Sequence, residues 1–394
     1  MPNISLDTNA FENAVKMCIA MVNYGNFNYR TSVENTLSHL DEHTFEAIVH
    51  EVKIRTSSPP LDEIGTHDEW IGELEFDPSW LNNIQWKHTN ALLDYRMKIG
   101  ELNLNTCENL NQISLGLLEN SYNPTQNGND EFLWRGLVVG NVQSGKTANF
   151  TTLISRAYDV GYKLVLVLSG RLESLRKQTA SRLHQELIEN GPLNHGIQHI
   201  TEASDDIFKE QSGFFYEMLS HQLSNSKCLI VSKKERQVLD NLISLFTKIS
   251  KQNPEFSNIP ILIIDDESDE AGIDIGKEEY TSKINFQIKR LLSKTRDGFI
   301  ERITEDEQGN PKIESSKSLQ LNKRMYVGFT ATPYATVFQK MNNDKMEDET
   351  NGSDLYPHDY LLVLKDPVNY CSGITFFGRD AVSYTHLTLP TKRI

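Results

Sequence analysis

Residues Gly140 to Thr147 read GNVQSGKT, which matches G-x-x-x-x-G-K-[ST] at every constrained position. The chemistry that requires this order is the binding of a nucleoside triphosphate. A loop bracketed by Gly140 and Gly145 lets backbone N–H groups along Asn141, Val142, Gln143 and Ser144 close around phosphate oxygens, while the next helix aims its N-terminus at the same anion. Lys146 is expected to reach the β- and γ-phosphates, and Thr147 to hold Mg²⁺. A glycine-rich turn with an unrelated lysine is the competing reading. The flanks argue against it: Leu137 to Val139 is an apolar run leading in, and Ala148 to Asp159 places Phe150, Leu153, Ile154 and Ala157 on one helical face before Gly161.

Further along, the apolar run Ile259 to Ile264 ends in Asp265-Asp266-Glu267-Ser268-Asp269. Phosphoryl transfer to water needs one carboxylate to hold Mg²⁺ and a second beside it to orient the attacking water. Asp266 and Glu267 suit those roles, and on spacing alone Asp265 serves as the metal residue equally well. A solvated acidic surface is the bland alternative. Another apolar run, Met325 to Phe329, ends in Thr330-Ala331-Thr332-Pro333, whose hydroxyls can hydrogen-bond the acidic cluster and report whether the γ-phosphate is present. Taken alone, that tetrapeptide reads equally well as a turn.

The elements that must position these residues form a pattern. Leu137 to Val139, Lys163 to Ser169, Lys227 to Ser232, Ile259 to Ile264 and Met325 to Phe329 are short apolar runs, mostly separated by helical stretches. This is the signature of a parallel sheet covered on both faces, where ligands sit at the carboxyl ends of the strands. After the second run, Arg171, Arg176, Lys177 and Arg182 make a basic patch suited to a nucleic-acid backbone, with a solvated helix face as the alternative. Lys233, Lys234 and Arg236 carry the same ambiguity.

Residues 1–130 read as a mainly helical domain without chemistry of their own. Phe11 to Val22 has helical spacing, Asp41 is placed to cap a helix through Ile54, and a further helix is expected over Trp80 to Lys98. Asn123 to Asp130 is a loop, and the domain boundary is expected there. Arg296 to Lys323 reads as a polar insertion.

With 394 residues the chain has room for two or three domains. Four scattered cysteines, without a C-x-x-C, indicate neither a zinc site nor a disulfide framework, and fit a cytoplasmic setting. No apolar run approaches a membrane span, so no membrane partner is expected. The net charge of −15 argues against a protein that coats nucleic acid non-specifically, although a local basic groove remains compatible with it.

GNVQSGKT, IIDDESD and GFTATP, in that order, resemble motifs I, II and III of the superfamily-two helicase ATPases. More narrowly, RGLVVGNVQSGKTANF, GYKLVLVLSGRLESLRKQT, IIDDESDEAGID, INFQIKRLL, YVGFTATPYA and YPHDYLLVLKDPVNYCSGITFFG resemble the Z-one domain family of bacteria. That family is labelled an endonuclease, is helicase-like, and is associated with restriction-modification and anti-phage gene clusters. The resemblance covers roughly residues 130 to 378 and extends loosely to IQWKHTNALLDYR.

It implies an α/β fold with a RecA-like P-loop NTPase core, ATP and Mg²⁺ as cofactors, and DNA in preference to RNA as partner, with partner proteins from a defence gene cluster. It also implies that Lys146 and Thr147 are the phosphate and Mg²⁺ residues and Asp266 and Glu267 the hydrolytic pair. Asp269 then links to the coupling residues Thr330 and Thr332, and Arg171, Arg176, Gln178 and Thr179 contact nucleic acid.

The expected organisation is a helical domain over 1–130, an ATPase lobe over 131–340, the start of a further domain over 341–381, and a tail over 382–394. That tail, VSYTHLTLPTKRI, departs from the family pattern and resembles translated adapter sequence; too little chain follows the third motif for a second lobe, so a truncated chain is expected. The leading function is a nucleic-acid-dependent Mg·ATP hydrolase of helicase or translocase type. An endonuclease is one alternative, for which Glu51-Val52-Lys53 with Asp41 is the sole early candidate, and it falls in a stretch read as helix. An ATP-gated binding module without translocation is the other.

Overall fold

The computed structural model describes residues 41–56, 69–71, 75–100, 102, 104–126, 131–140, 145–192, 196–201, 226–269, 283–295, 298–305, 309–331, 355 and 357–364. Isolated helical positions between 11 and 34 and between 213 and 221 are also described. The chain divides into two units, residues 1–59 with 366–394 and residues 60–365.

In the first unit, helix α1 (Glu42–Thr56) starts where Asp41 accepts hydrogen bonds from the Thr44 N–H at 2.9 Å and the Thr44 hydroxyl at 2.6 Å. Its buried residues Ile48 and Val52 pack with Ala14, Val15, Cys18 and Val33. Glu51-Val52-Lys53 lies inside this helix, so the strand that a nuclease E-x-K element needs is not formed there.

The second unit is built on strands β1 (Glu69–Ile71), β2 (Phe132–Val139), β3 (Leu164–Ser169), β4 (Ile197–His199), β5 (Lys227–Lys233), β6 (Ile261–Asp266), β7 (Phe299–Glu305), β8 (Pro311–Lys317), β9 (Lys323–Thr330) and β10 (Tyr360–Val363). Eight of them form one sheet in the order β1-β10-β2-β9-β6-β3-β5-β4. Seven run parallel and β1 closes one edge antiparallel to β10. The remaining two pair as an antiparallel hairpin, so the polar insertion is a β-ribbon feeding β9.

Side chains alternate along the central strands, and both faces are covered. Val165, Val167, Leu229, Val231, Leu262 and Ile264 face one core; Leu164, Leu166, Leu168, Ile230, Ile261 and Ile263 face the other. Helices α2 (Lys87–Lys98), α3 (Leu104–Glu119) and α4 (Lys146–Asp159) belong to the first side. After α5 (Glu173–His184), helices α6 (Arg236–Gln252) and α7 (Lys283–Leu292) cover the second. Every residue of α4 from Asn149 to Tyr158 is buried, because α2 and α3 pack over the side turned away from the sheet. Each large apolar side chain so buried contributes about 1.5–3 kcal/mol relative to exposure.

This packing moves the expected boundary. The division lies at Pro59–Pro60 rather than near residue 130, since α2 and α3 complete the core around the phosphate-loop helix. The expected helix over Trp80 to Lys98 is also divided, into a 3-10 turn at Pro78–Leu81 and α2. What starts α2 is remote in sequence: Asp159, at the end of α4, accepts from the N–H groups of His88 at 2.8 Å and Thr89 at 2.9 Å. Trp86 lies against the Arg156 guanidinium, whose carbon stands 4.1 Å from the ring centre.

Candidate active site

The three motif strands end side by side, with β9 between β2 and β6. Val139 is in register with Thr330, and Asp266 with Phe329. The Gly140 N–H donates to the Thr330 carbonyl at 2.9 Å, so the phosphate loop begins hydrogen-bonded to the end of the neighbouring strand. Gly145 closes the loop at φ 83°, in the left-handed region that a side chain disfavours. Its carbonyl receives the Asn149 N–H at 2.9 Å and the Asn149 side-chain amide at 3.1 Å, which fixes the first turn of α4.

Lys146 is the first residue of that helix, and its ammonium folds back to donate to the Gly140 carbonyl at 3.1 Å. Thr147 is half-buried one position on. Asn141, Val142, Gln143, Ser144 and Thr332 lie outside the described residues.

Strand alternation separates the two aspartates that spacing leaves equivalent. Asp265 is fully buried: one carboxylate oxygen accepts from the Tyr326 hydroxyl at 2.7 Å, and the other lies 3.0 Å from the buried Lys234 ammonium. It is committed to the core. Asp266 and Glu267 remain half-buried at the strand end. Burial pushes the Asp266 carboxyl up to about 6, reinforced by the negative charges of Glu267 and Asp265; the Lys234 and Lys146 ammonium groups pull the other way. Only β9 separates the strand that leads toward Lys146 from the strand that ends in Asp266.

Glu267 has φ 58°, left-handed backbone in a residue with a side chain. Ser268 then turns inward against Gly328, where an added Cβ would stand 3.0 Å from the Ser268 hydroxyl and 3.1 Å from Leu137. A glycine at 328 lets β9 sit this close. One residue further, Asp269 accepts the Thr330 hydroxyl at 2.6 Å, so the structure joins the second and third motifs directly.

The basic residues divide. Arg171 and Gln178 are exposed and Thr179 half-buried. Arg176 is corrected: it is fully buried and donates to Glu173 one turn earlier, at 2.7 and 3.0 Å, so it offers no surface to nucleic acid. Lys233 pairs with Glu235 at 2.7 Å, and Arg182 with Glu186 at 2.8 Å. Among the described residues Arg171 and Lys177 have no ion pair and remain the exposed cations of this edge. Lys234 belongs inside the acidic motif, and Arg96 is a second buried cation that sequence reasoning missed. Arg96 bonds the Ala148 carbonyl at 3.2 Å, directly after the phosphate-loop threonine, and Glu186 at 2.5 Å.

The donor set fits a phosphate-bearing nucleotide with a divalent cation. A helix N-terminus opens through a left-handed glycine, a lysine ammonium is held by a loop carbonyl rather than a carboxylate, and a half-buried carboxylate stands among other negative groups. Among the described residues no three or more His, Cys, Asp or Glu side chains are grouped to cage a metal by themselves. Mg²⁺ held by one or two carboxylates and substrate phosphates needs no such cage.

The fold is an α/β core on a sheet with seven parallel strands, with the motif residues at the carboxyl ends of adjoining strands. No family model matches the chain, and no curated protein does. Among solved structures, FtsY from Mycoplasma mycoides is similar at 12% identity over 64% of this chain and 74% of its own, with a TM-score of 0.22. The signal recognition particle receptor FtsY from Elizabethkingia anophelis in complex with GDP is similar at 15% identity, covering 68% of this chain and 76% of that one, with a TM-score of 0.21. Among the described residues no helix is long and apolar enough to cross a membrane.

Proposed function

We infer that the chain is a Mg²⁺-dependent ATP hydrolase whose turnover is linked to nucleic acid, of the helicase or translocase type, in a restriction or anti-phage defence setting. The observation that carries the hydrolase reading is the convergence of Lys146, Asp266, Glu267 and the Thr330–Asp269 hydrogen bond on three adjoining strand ends. Bound Mg²⁺ would supply charge neutralisation on the phosphates. In this reading the α4 N-terminus and Lys146 bind and orient the anion, Thr147 and Asp266 hold the cation, and Glu267 orients a water and accepts its proton. Thr330, bonded to the phosphate loop through its carbonyl and to the acidic motif through its hydroxyl, is placed to register a change in either.

The nucleic-acid part rests on the motif resemblance together with exposed Arg171, Lys177 and Gln178, which follow the end of β3, the strand next to β6. The neutralisation of Arg176, Lys233 and Arg182 by neighbouring carboxylates favours a second reading, an ATP-gated switch that binds a protein partner without translocating. An intrinsic nuclease has no support in α1.

Glu267→Gln tests the hydrolase reading. It is expected to bind ATP like the unsubstituted protein and to turn it over at a rate lower by about 100-fold or more. Unchanged turnover in this variant contradicts the reading.

A further inference from the structure

Lys234 follows the end of β5, and β3 lies between that strand and the acidic strand β6. Its backbone N–H donates to the Ser169 carbonyl at the end of β3, at 3.2 Å. Its side chain then passes the end of β3 and delivers the ammonium to the acidic motif, donating to the Asp266 carbonyl at 2.7 Å and the Glu267 carbonyl at 2.5 Å. The same ammonium lies 3.0 Å from the Asp265 carboxylate, and both side chains are fully buried. Three consecutive residues of the acidic motif therefore converge on one cation, two through their backbone carbonyls.

The residue most affected is Glu267. A left-handed conformation in a residue with a Cβ persists only where its surroundings over-determine it. The ammonium bonds the carbonyls of the two peptide groups that flank the Glu267 Cα and so fixes the direction in which Glu267 leaves the strand. Lysine is well suited to this position, being a compact cation that takes several acceptors around one nitrogen, and Asp265 supplies the counter-charge that a buried ammonium requires.

We propose that Lys234 is a positioning residue for hydrolysis, clamping the Asp266–Glu267 backbone so that the Glu267 carboxylate meets the attacking water. This rests on the assignment of Glu267 as the water-orienting residue. Lys234 touches neither nucleotide nor water in this account; it acts through the main chain of the residue that does.

The test is steady-state ATP hydrolysis by Lys234→Met and by Lys234→Met combined with Asp265→Asn, each rate divided by the number of nucleotide-binding sites counted by equilibrium binding. The double variant removes the buried pair together, leaves an acceptor for Tyr326, and so remains foldable where the single variant strands a charge. The expected result is an unchanged KM for Mg·ATP with kcat per site lower by about 100-fold, the scale of a displaced catalytic group. A wild-type kcat per site in the folded double variant would overturn the proposal, and so would a loss confined to KM. Glu267→Gln run alongside separates the two levels: if that variant hydrolyses ATP normally, the assignment of Glu267 fails, and the role of Lys234 with it.

Discussion

The Thr330 hydroxyl donates to the Asp269 carboxylate at 2.6 Å while the Thr330 carbonyl accepts the Gly140 N–H at 2.9 Å. One residue thus holds the start of the phosphate loop by its main chain and the acidic motif by its side chain. A hydrogen bond to a charged group contributes about 1.5–3 kcal/mol, so Thr330→Val and Asp269→Asn are each expected to lower kcat by roughly 10- to 100-fold with ATP affinity retained. A double-mutant cycle should show the two losses to be strongly non-additive. Additive losses would separate the residues functionally.

Gly145→Ala places a Cβ at φ 83°, a conformation that costs about 1–2 kcal/mol for an L-residue. The strain falls on the first turn of α4, where the anion is to be held. Equilibrium titration with ATP should show binding weakened by roughly tenfold, with the fold intact by circular dichroism. Unchanged affinity would mean that the loop does not bind the phosphates in this conformation.

Arg96 and Glu186 form a buried pair that ties α2 to the helical turn Gln185–Glu189, and Arg96 also donates to the Ala148 carbonyl at the start of α4. Glu186→Ala leaves the Arg96 cation without its counter-charge, at a cost of about 3–5 kcal/mol. Urea denaturation followed by fluorescence should resolve a loss of this size, whereas Arg182, whose side chain is partly exposed, should lose little when replaced by alanine.

Burial depresses His199 to about 3, with the positive potential of His184 and Arg176 adding to the effect. A depressed folded-state value means that the unfolded chain binds a proton the folded protein refuses. This contribution to stability is complete above the unfolded value near 6.5 and is lost as pH falls toward 3, with a slope of up to about 1.4 kcal/mol per pH unit. Asp266, raised to about 6, acts with opposite sign between pH 4 and 6. The difference between wild type and His199→Gln therefore isolates the histidine: the variant's thermal midpoint should fall less steeply between pH 6.5 and 5. Parallel curves would contradict the assignment.

Much of the site is legible in the sequence because its strands are buried on both faces and read as continuous apolar runs, so β2, β3, β5, β6 and β9 and the polar residues at their ends follow directly. What escapes is what tertiary contact decides. Tyr360–Val363 lies in the short apolar run YLLVL, which fits a buried strand, but only its parallel pairing with β2 gives it a place in the sheet. Helices α2 and α3 look like a separate domain because an amphipathic pattern gives a helix a buried face without saying what buries it.

Arg176, Lys234 and Arg96 are read as surface or passed over because charged residues default to solvent. Their burial depends on partners, Glu173, Asp265 and Glu186, of which two are distant in the chain. The separation of Asp265 from Asp266 needs only strand alternation, once the strand is known to continue through Asp266.

The most direct measurement is steady-state ATP hydrolysis in Mg²⁺ with and without single- and double-stranded DNA, with Lys146→Ala alongside. The account predicts turnover that rises with DNA and is absent from Lys146→Ala. Lys146-dependent turnover indifferent to DNA would favour the switch reading and move attention from Arg171 to protein partners. Absence of any hydrolysis above the Lys146→Ala background, with or without DNA, would contradict the central claim.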